Sequence, residues 1–341
     1  MSYLIKEVEP DGSSNRDIAQ FLAQFVRDGE HPRPEQNDHV PEMWCHRMDW
    51  WWTQNPFCEP DSPRGITLET GDGEIVGFMG MIPWKYQVDE EIIPTLVTTS
   101  FFVREGHRSA VMGMLARVRR LSRDFQIVDG TPSPEMRMML EKFGYRNTAQ
   151  RRQYLFPVKK GKWSPSKLML QPFGLISSAP KLETKGYYVT GDPFQIESIP
   201  EIRDGKVHRL LTQESLEWLS NIGSQRRQFF GLCDQFGKLQ ACGIGLYKHK
   251  MGLKACRLMD YVDFTSDNTG VHRLLTFLTR EPEETPLDPD TGLIAWSLIN
   301  AVPPVDTFSL SRESILHYHL PDRWKEHEKL NVPMEGDYAL Q

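Results

Sequence analysis

Cysteine is scarce in this sequence and shows none of the spacings that assemble metal sites. The five cysteines among 341 residues are odd in number and include no C-x-x-C pair, which argues against a disulfide framework and against a thiolate zinc centre. Such cysteine usage is typical of a reducing compartment. We therefore expect a cytoplasmic protein that holds no metal.

Long apolar runs are missing as well. No segment approaches the roughly 20 consecutive apolar residues that span a bilayer. The N-terminal stretch lacks the apolar core of a secretory signal, because Lys6, Glu7, Glu9 and Asp11 interrupt it. The sequence thus predicts neither a membrane span nor a membrane partner.

An excess of positive charge is also absent. The chain has 40 Lys and Arg residues against 46 Asp and Glu residues, a formal net charge of −6. Proteins that bind the phosphate backbone of nucleic acids present a broad positive surface, so we expect no nucleic-acid partner. The length favours two globular domains over one.

The first half of the chain alternates strand and helix patterns. Hydrophobic periodicity, turn glycines and prolines define the predicted elements. In chain order they are a strand at 3–8, a helix around 18–26, strands at 65–70, 74–86 and 90–103, a helix at 110–123, a strand at 125–128, a helix at 135–143 and a closing strand at 154–158.

The pattern then restarts after a connector at 159–200. The second half is predicted to contain strands at 229–234, 238–248 and 256–264, a helix at 270–280, and a strand or short helix at 292–300. The turn glycines Gly73 and Gly237 lie one domain length apart, too far for a solenoid repeat. We therefore predict an α/β (α+β) fold of two similar units, 1–158 and 201–341, each a mixed, mostly antiparallel sheet flanked by helices.

Four stretches of the chain resemble one superfamily. They are the hairpin Gly73–Gly80, the loop Val103–Gly113, the helix end Leu140–Tyr145 and the segment Trp52–Pro56. In that order they resemble the central hairpin, the pyrophosphate loop, the "Y-E-K-L-G-F" ending and the "W…NP" entry of the GCN5-related N-acetyltransferase superfamily, in its tandem form. The resemblance covers residues 1–158 and, more faintly, 200–341.

The resemblance implies that the first unit binds an acyl-CoA donor. It places a bulged strand at Phe101, Phe102 and Val103, whose free amides would receive the thioester carbonyl. The phosphate loop would then comprise Arg108, Ser109, Ala110, Val111, Met112 and Gly113. Residues 104–123 contain six arginines and one glutamate, an excess of positive charge that suits phosphate binding. The alternative interpretation is that the arginines form the solvated face of a helix.

The sequence also departs from the superfamily pattern. Val111 replaces the middle glycine of the phosphate loop, and Leu140 stands where many members have a tyrosine that serves as general acid. In the second unit, the segment Thr265–Gly270 has no arginine and contains Asp267, which would repel a phosphate. The sequence therefore predicts a donor site in the first unit alone.

His107 and Asp129 are the candidate catalytic bases. His107 is the titratable residue nearest the loop, and histidine is a common general base, whereas Asp129 follows a strand that faces the predicted cleft. Each has a plain alternative, a loop histidine remote from the amine and a carboxylate that caps the next turn. Asp260 and Asp263 of the second unit are a third option, and water with backbone groups alone is a fourth.

A dense aromatic segment is the candidate acceptor site. Trp50, Trp51 and Trp52, with Asn55 and Asp260, are predicted to contact the acceptor, because flat side chains stack on sugars and bases. Burial of the tryptophans on an amphipathic helix is the alternative. His317 and His319 lie two residues apart without a carboxylate partner, a pattern more typical of one strand face than of a metal site.

The resemblance implies an acyl-CoA-dependent N-acyltransferase in which a primary amine attacks the thioester directly. Among tandem members, the chain resembles bacterial enzymes that acylate the amino group of a nucleotide-linked deoxyamino sugar. Three alternatives stay open: an acyl carrier protein as donor, an aminoacyl-tRNA-dependent peptidyl transferase of the related tandem fold, and a non-catalytic binding module. Val111 and Leu140 favour the last. Oligomer formation is left open.

Overall fold

The computed structural model describes residues 2–31, 37–129, 132–147, 152–159, 181–221, 227–250, 253–265, 267, 269–298, 310–311 and 317–324. Within these residues the chain forms two mixed β-sheets with helices packed against them. The predicted α/β fold class is confirmed.

The first sheet contains β1 (Tyr3–Glu7), β2 (Gly65–Thr70), β3 (Ile75–Val88), β4 (Glu91–Val103), β5 (Gln126–Asp129), β6 (Arg146–Asn147), β9 (Val207–Arg209) and β15 (His317–His319). Their order is β1-β2-β3-β4-β5-β15-β6, and β9 pairs with the end of β3. The strands from β1 to β4 are antiparallel, whereas β4 and β5 are parallel.

The second sheet contains β7 (Arg152–Pro157), β8 (Tyr187–Thr190), β10 (Arg227–Asp234), β11 (Leu239–Lys250), β12 (Leu253–Asp263), β13 (Leu293–Leu298) and β14 (Leu310–Ser311). Read from β8, its order is β8-β10-β11-β12-β13-β7-β14. Here too an antiparallel series ends in one parallel pair, β12 with β13. The second sheet therefore repeats the arrangement of the first.

The helices are α1 (Asn15–Arg27), α2 (Pro41–Met48), α3 (Val111–Leu121), α4 (Pro134–Lys142), α5 (Gln213–Ser220) and α6 (Thr269–Arg280). Strand alternation decides which helix meets which face of the first sheet. Phe78 and Ile82 of β3 pack in the cluster that holds α1 and α2, whereas Met79 and Met81 pack with α3. The α6 helix packs on the second sheet.

Each sheet contains strands from the opposite half of the chain: β9 and β15 in the first sheet, and β7 in the second. In the first sheet β15, near the C-terminus, pairs antiparallel with β5, and in the second sheet β7 pairs antiparallel with β13. The prediction that the strand at 154–158 closes the first unit is therefore wrong, because β7 belongs to the second sheet. The predicted division at residue 158 does not coincide with a division between sheets.

No helix in the described parts of the chain is long and apolar enough to cross a membrane.

Candidate active site

A bulge interrupts the pairing of β3 with β4. Phe78 pairs with Phe102 and Gly80 pairs with Thr99, so β4 carries one residue more than β3 over this interval. Ser100 and Phe101 consequently have no partner on β3. Ser100 is buried, with 2% of its surface exposed, and its backbone lies in the left-handed region with φ of 50°.

The bulge lies just beyond the point where the pairing of β4 with β5 ends. Their parallel pairing runs from Thr95 with Gln126 to Thr98 with Asp129, and β5 ends there while β4 continues. A hydrogen bond of 3.2 Å from the Thr98 hydroxyl to the Val128 carbonyl holds the last paired level together. Ser100 and Phe101 thus have no paired residue on either neighbouring strand, and the position beside them beyond the end of β5 is called the gap. The sequence predicted this bulge at residues 101–103, and the structure centres it on Ser100 and Phe101.

The remaining residues of the predicted bulge are packed. Phe102 lies against Phe25 with 5.0 Å between ring centroids and against His31 with 4.7 Å. Val103 is buried in the cluster under α3. These two side chains therefore hold the strand between the helical layers, and the unpaired backbone belongs to the residues before them.

The segment after β4 is helical from its start. A 3₁₀ turn over Glu105–Ala110 leads directly into α3 at Val111. The Val111 amide donates to the Arg108 carbonyl, and the Glu105 amide lies 3.3 Å from a Glu30 carboxylate oxygen. The helix predicted from residue 110 therefore begins at Val111, and most of the predicted phosphate-binding segment 108–113 lies in helical turns, where glycine in place of Val111 would give the backbone more freedom.

The arginines of this segment divide between internal ion pairs and free exposure. Arg104 pairs with Asp28 at 2.9 Å and with Glu30 at 3.4 Å, and its hydrogen bond lowers the pKa of Asp28. Arg117 pairs with Glu7. Arg108 is exposed on the 3₁₀ turn and is therefore available to an anionic ligand.

The other predicted donor-binding residues vary in accessibility. Ser109 is exposed, whereas Ala110 and Val111 are half-buried. Met112 presents 52% of its surface to solvent. A side chain at Gly113 would meet Ile5 at 2.6 Å, so glycine here lets α3 approach β1 closely.

The two predicted catalytic residues lie in different places. His107 Nδ1 is 3.1 Å from the hydroxyl of Tyr3 on β1, whereas Asp129 ends β5 opposite Thr98. The axes of β1 and β5 are four strand spacings apart, or about 19 Å. The structure therefore does not bring His107 and Asp129 together, and of the two Asp129 borders the gap beside the bulge.

Tyr145 is a neighbour of Asp129 that the sequence did not single out. Burial raises the pKa of its phenol strongly, and the Asp129 charge adds to the increase. The phenol therefore stays protonated at neutral pH. Its ring lies 5.5 Å from that of His319, which reaches Arg119 of α3. In the sequence Tyr145 was only the last residue of the stretch Leu140–Tyr145 that resembles the superfamily, and that resemblance carried no signal of this charge environment.

The tryptophan cluster is part of the core. Trp50, Trp51 and Trp52 are buried, with 6%, 0% and 2% of their surfaces exposed. Trp50 stacks on Trp218 with 4.3 Å between ring centroids, and the Trp52 indole donates to the Met81 carbonyl at 2.9 Å. The predicted stacking of an acceptor on these rings is therefore wrong, because the protein already covers them.

Asn55 also has a structural role. Its side-chain amide donates to the carbonyls of Trp51 and Pro83, each at 2.9 Å, and its side-chain oxygen accepts from the Phe57 amide at 2.9 Å. All three bonds are internal, so in place of the predicted acceptor contact Asn55 links the helical turn Asp49–Thr53, which follows α2, to β3. Asp260 lies on β12, paired with Ile244 beside a bulge in the second sheet.

In the second sheet a carboxylate of the chain itself occupies the corresponding helix start. Asp263, the last residue of β12, accepts from the Val271 amide at 2.7 Å and from the Thr265 amide at 2.8 Å. Burial raises the pKa of Asp263 although these bonds oppose the change. Amides at and just before the start of α6 are therefore already bonded to a carboxyl group of the chain itself.

No group of three or more potential metal ligands is found among the described residues. No family model matches the sequence, and no curated protein does. Solved structures do match. A probable N-acyltransferase from Enterococcus faecalis is 11% identical, with 93% of this chain and 72% of that chain covered and a TM-score of 0.51. GCN5-related N-acetyltransferases from Anabaena variabilis and Kribbella flavida are 9% and 12% identical, cover 93% and 94% of this chain and 72% of theirs, and give TM-scores of 0.51.

The chain has the fold of the GCN5-related N-acetyltransferases. At identities this low the likeness concerns the fold, and the bulge in β4 with the separation of β4 from β5 is the local geometry on which a function must rest.

Proposed function

We propose that the protein is an acyl-CoA-dependent N-acyltransferase whose donor site lies in the first sheet. The single observation that carries this proposal is the unpaired backbone at Ser100 and Phe101, beside the gap between β4 and β5. Fixed amides aimed at a developing oxyanion are the main requirement of acyl transfer. The two enzymes with the same fold, named above as N-acetyltransferases, support the reaction class.

In this proposal the chain binds and orients the acyl group, and the donor supplies an activated thioester. The amides of the bulge stabilise the thioester oxygen as the amine attacks. Asp129, at the edge of the gap, accepts a proton from the amine, for which its position suits a general base. The leaving thiol has an ordinary pKa of about 8.5 and so needs little assistance.

The donor fits the two ends of the site differently. The gap and bulge suit the thioester, and the exposed Arg108 suits a phosphate. Backbone amides contribute less than the resemblance implied, because the turn before α3 is helical and Glu30 occupies the Glu105 amide. We therefore assign phosphate recognition to arginine side chains, with no metal involved.

The acceptor is proposed to be a small primary amine, with nucleotide-linked deoxyamino sugars as the first compounds to screen. The chemistry at the bulge requires only an uncharged amine. Because Trp50 to Trp52 and Asn55 pack internally, aromatic stacking no longer supports a sugar or base as acceptor. The choice of an amino sugar is supported only by the resemblance in architecture to tandem nucleotide-sugar N-acyltransferases. A cytoplasmic location, with neither nucleic acid nor membrane as partner, completes the proposal.

Donor binding is the first experiment. A ligand present at about 100 times its Kd stabilises the native state by roughly 2.7 kcal/mol, so millimolar coenzyme A and acetyl-CoA should raise the melting temperature. Released thiol, followed colorimetrically with a panel of amines, then tests transfer. A shift without transfer would favour a binding module, and no shift with either donor would favour a carrier protein as donor and contradict the proposed coenzyme A site.

A further inference from the structure

Ser100 adopts a backbone conformation that its residue type disfavours. Its φ is 50°, and among the described non-glycine residues only Asp89 shares a positive φ. Asp89 lies in the turn between β3 and β4, where its carboxylate accepts from the Gly205 amide at 3.0 Å, and aspartate is enriched in this conformation. Ser100 instead lies inside a strand and is buried.

Glycine would adopt this conformation without the steric cost that a Cβ brings. A buried serine therefore holds a strained backbone that the smallest residue would relieve. Strained residues that persist in a fold cluster at sites where the strain serves a function. The feature that serine has and glycine lacks is its hydroxyl.

The hydroxyl has unused bonding capacity. A hydroxyl offers one donor and two acceptor positions, and the contact recorded for Ser100 Oγ is a long one, 3.4 Å to the Thr99 hydroxyl. Its residue lies between the last paired level, Thr98 with Asp129, and the unpaired Phe101. The hydroxyl is thus attached to the same unpaired stretch of backbone that borders the gap.

We propose that the Ser100 hydroxyl donates a hydrogen bond to the carbonyl oxygen of the donor thioester, beside the backbone amides of the bulge. This role rests on the proposed function, because it requires an acyl thioester in the gap. It adds a side-chain donor to an oxyanion site otherwise made of backbone. It also explains why the bulge carries a serine at a position where glycine is easier to accommodate.

The test compares two ligands that differ only in that carbonyl oxygen. Acetyl-CoA contains it, and the thioether S-ethyl-CoA lacks it. Calorimetric titration gives the ratio of the two dissociation constants for the wild-type protein, Ser100→Gly and Ser100→Ala. Glycine removes both hydroxyl and strain, whereas alanine removes the hydroxyl and keeps the strain. Asp89→Gly is the matched control for a glycine at a positive φ outside the site.

We expect the preference for acetyl-CoA to fall about fivefold in both Ser100 variants, the loss of one neutral hydrogen bond, and to stay unchanged in Asp89→Gly. Binding of S-ethyl-CoA should be the same in all four proteins. Ser100→Gly should also melt higher than Ser100→Ala, because it relieves the strain.

Two results would overturn the proposal. An unchanged ligand preference in both variants would show that the Ser100 hydroxyl does not contact the thioester carbonyl, and a change in Ser100→Gly alone would show that backbone geometry and not the hydroxyl matters. Failure of the wild-type protein to bind either ligand is a different result, since it would overturn the donor site of the proposed function itself.

Discussion

Two tryptophans from opposite halves of the chain bond to each other's backbone, and replacing either with phenylalanine should destabilise the whole protein. The Trp218 indole donates to the Trp50 carbonyl at 2.9 Å, and the Trp50 indole donates to the Trp218 carbonyl at 3.3 Å. Both residues are buried. Phenylalanine keeps an aromatic ring in the stack but removes the N–H donor.

The magnitude follows from the buried carbonyl that each substitution leaves without its donor. An unsatisfied buried polar group costs about 1–3 kcal/mol, and the smaller ring adds a packing loss of about 1 kcal/mol. We expect Trp218→Phe to cost about 2–4 kcal/mol. Trp50→Phe should cost less, because the bond that it removes is the longer of the two.

The measurement is urea unfolding followed by far-UV circular dichroism, with activity measured in parallel. Trp84→Phe is the matched control, because Trp84 is buried in the same cluster, 5.0 Å from the Trp218 ring, and its indole N–H has no partner among the described residues. If Trp218→Phe costs no more than Trp84→Phe, the reciprocal bonds do not stabilise the fold. If Trp50→Phe lowers turnover at unchanged stability, the tryptophans face a ligand after all.

Three further outcomes are expected. Arg108→Glu should raise the Kd for coenzyme A at least about fivefold at an unchanged melting temperature, since the side chain is exposed. Arg203→Glu is the control, because Arg203 is also exposed. If the two variants bind coenzyme A equally well, Arg108 does not bind a phosphate. Burial lowers the pKa of His272, so the fold favours its neutral form and the unfolded chain takes up the proton first as the pH falls below about 6.5. The free energy of unfolding should therefore fall with pH, and the urea midpoint of His272→Gln should fall less than that of the wild type between pH 7 and pH 5. Parallel curves would contradict this. Deleting residues 310–341 removes β15 and the buried Leu320 and Trp324, a loss of at least about 5 kcal/mol, and an unchanged melting temperature would refute the exchange of strands.

Local elements could be predicted from the sequence because their signals are local. Alternating apolar residues and a turn glycine predicted the hairpin of β2 and β3, and the structure gives Gly73 a φ of 84°. The matching turn in the second half gives Gly237 a φ of 76°. By contrast, nothing in β7 or β15 distinguishes a strand of one sheet from a strand of the other, because the choice depends on partners that lie far away in the sequence.

Only those parts of the candidate site that lie in stretches resembling the superfamily could be predicted. Resemblance suggested a bulge in β4, but a serine in a left-handed conformation has no signature in the sequence. Spacing could not separate Trp52 in a core from Trp52 in a ligand pocket, since both need an aromatic residue on one helix face. Nor could it show that Arg104 is engaged by Asp28 and Glu30, two carboxylates some 75 residues earlier in the chain.

The exchange of strands gives the second half a role in the proposed site even without a donor of its own. Asp129 borders the gap because β5 ends there, and β15 from the second half pairs with β5 along its outer edge, with His317 opposite Asp129. The four-residue β5 is therefore paired along both of its edges, with β4 on one side and β15 on the other. The second half of the chain, where Asp263 caps the start of α6, therefore positions β5 at the proposed site in the first half. Substitutions that destabilise either sheet should reduce donor binding.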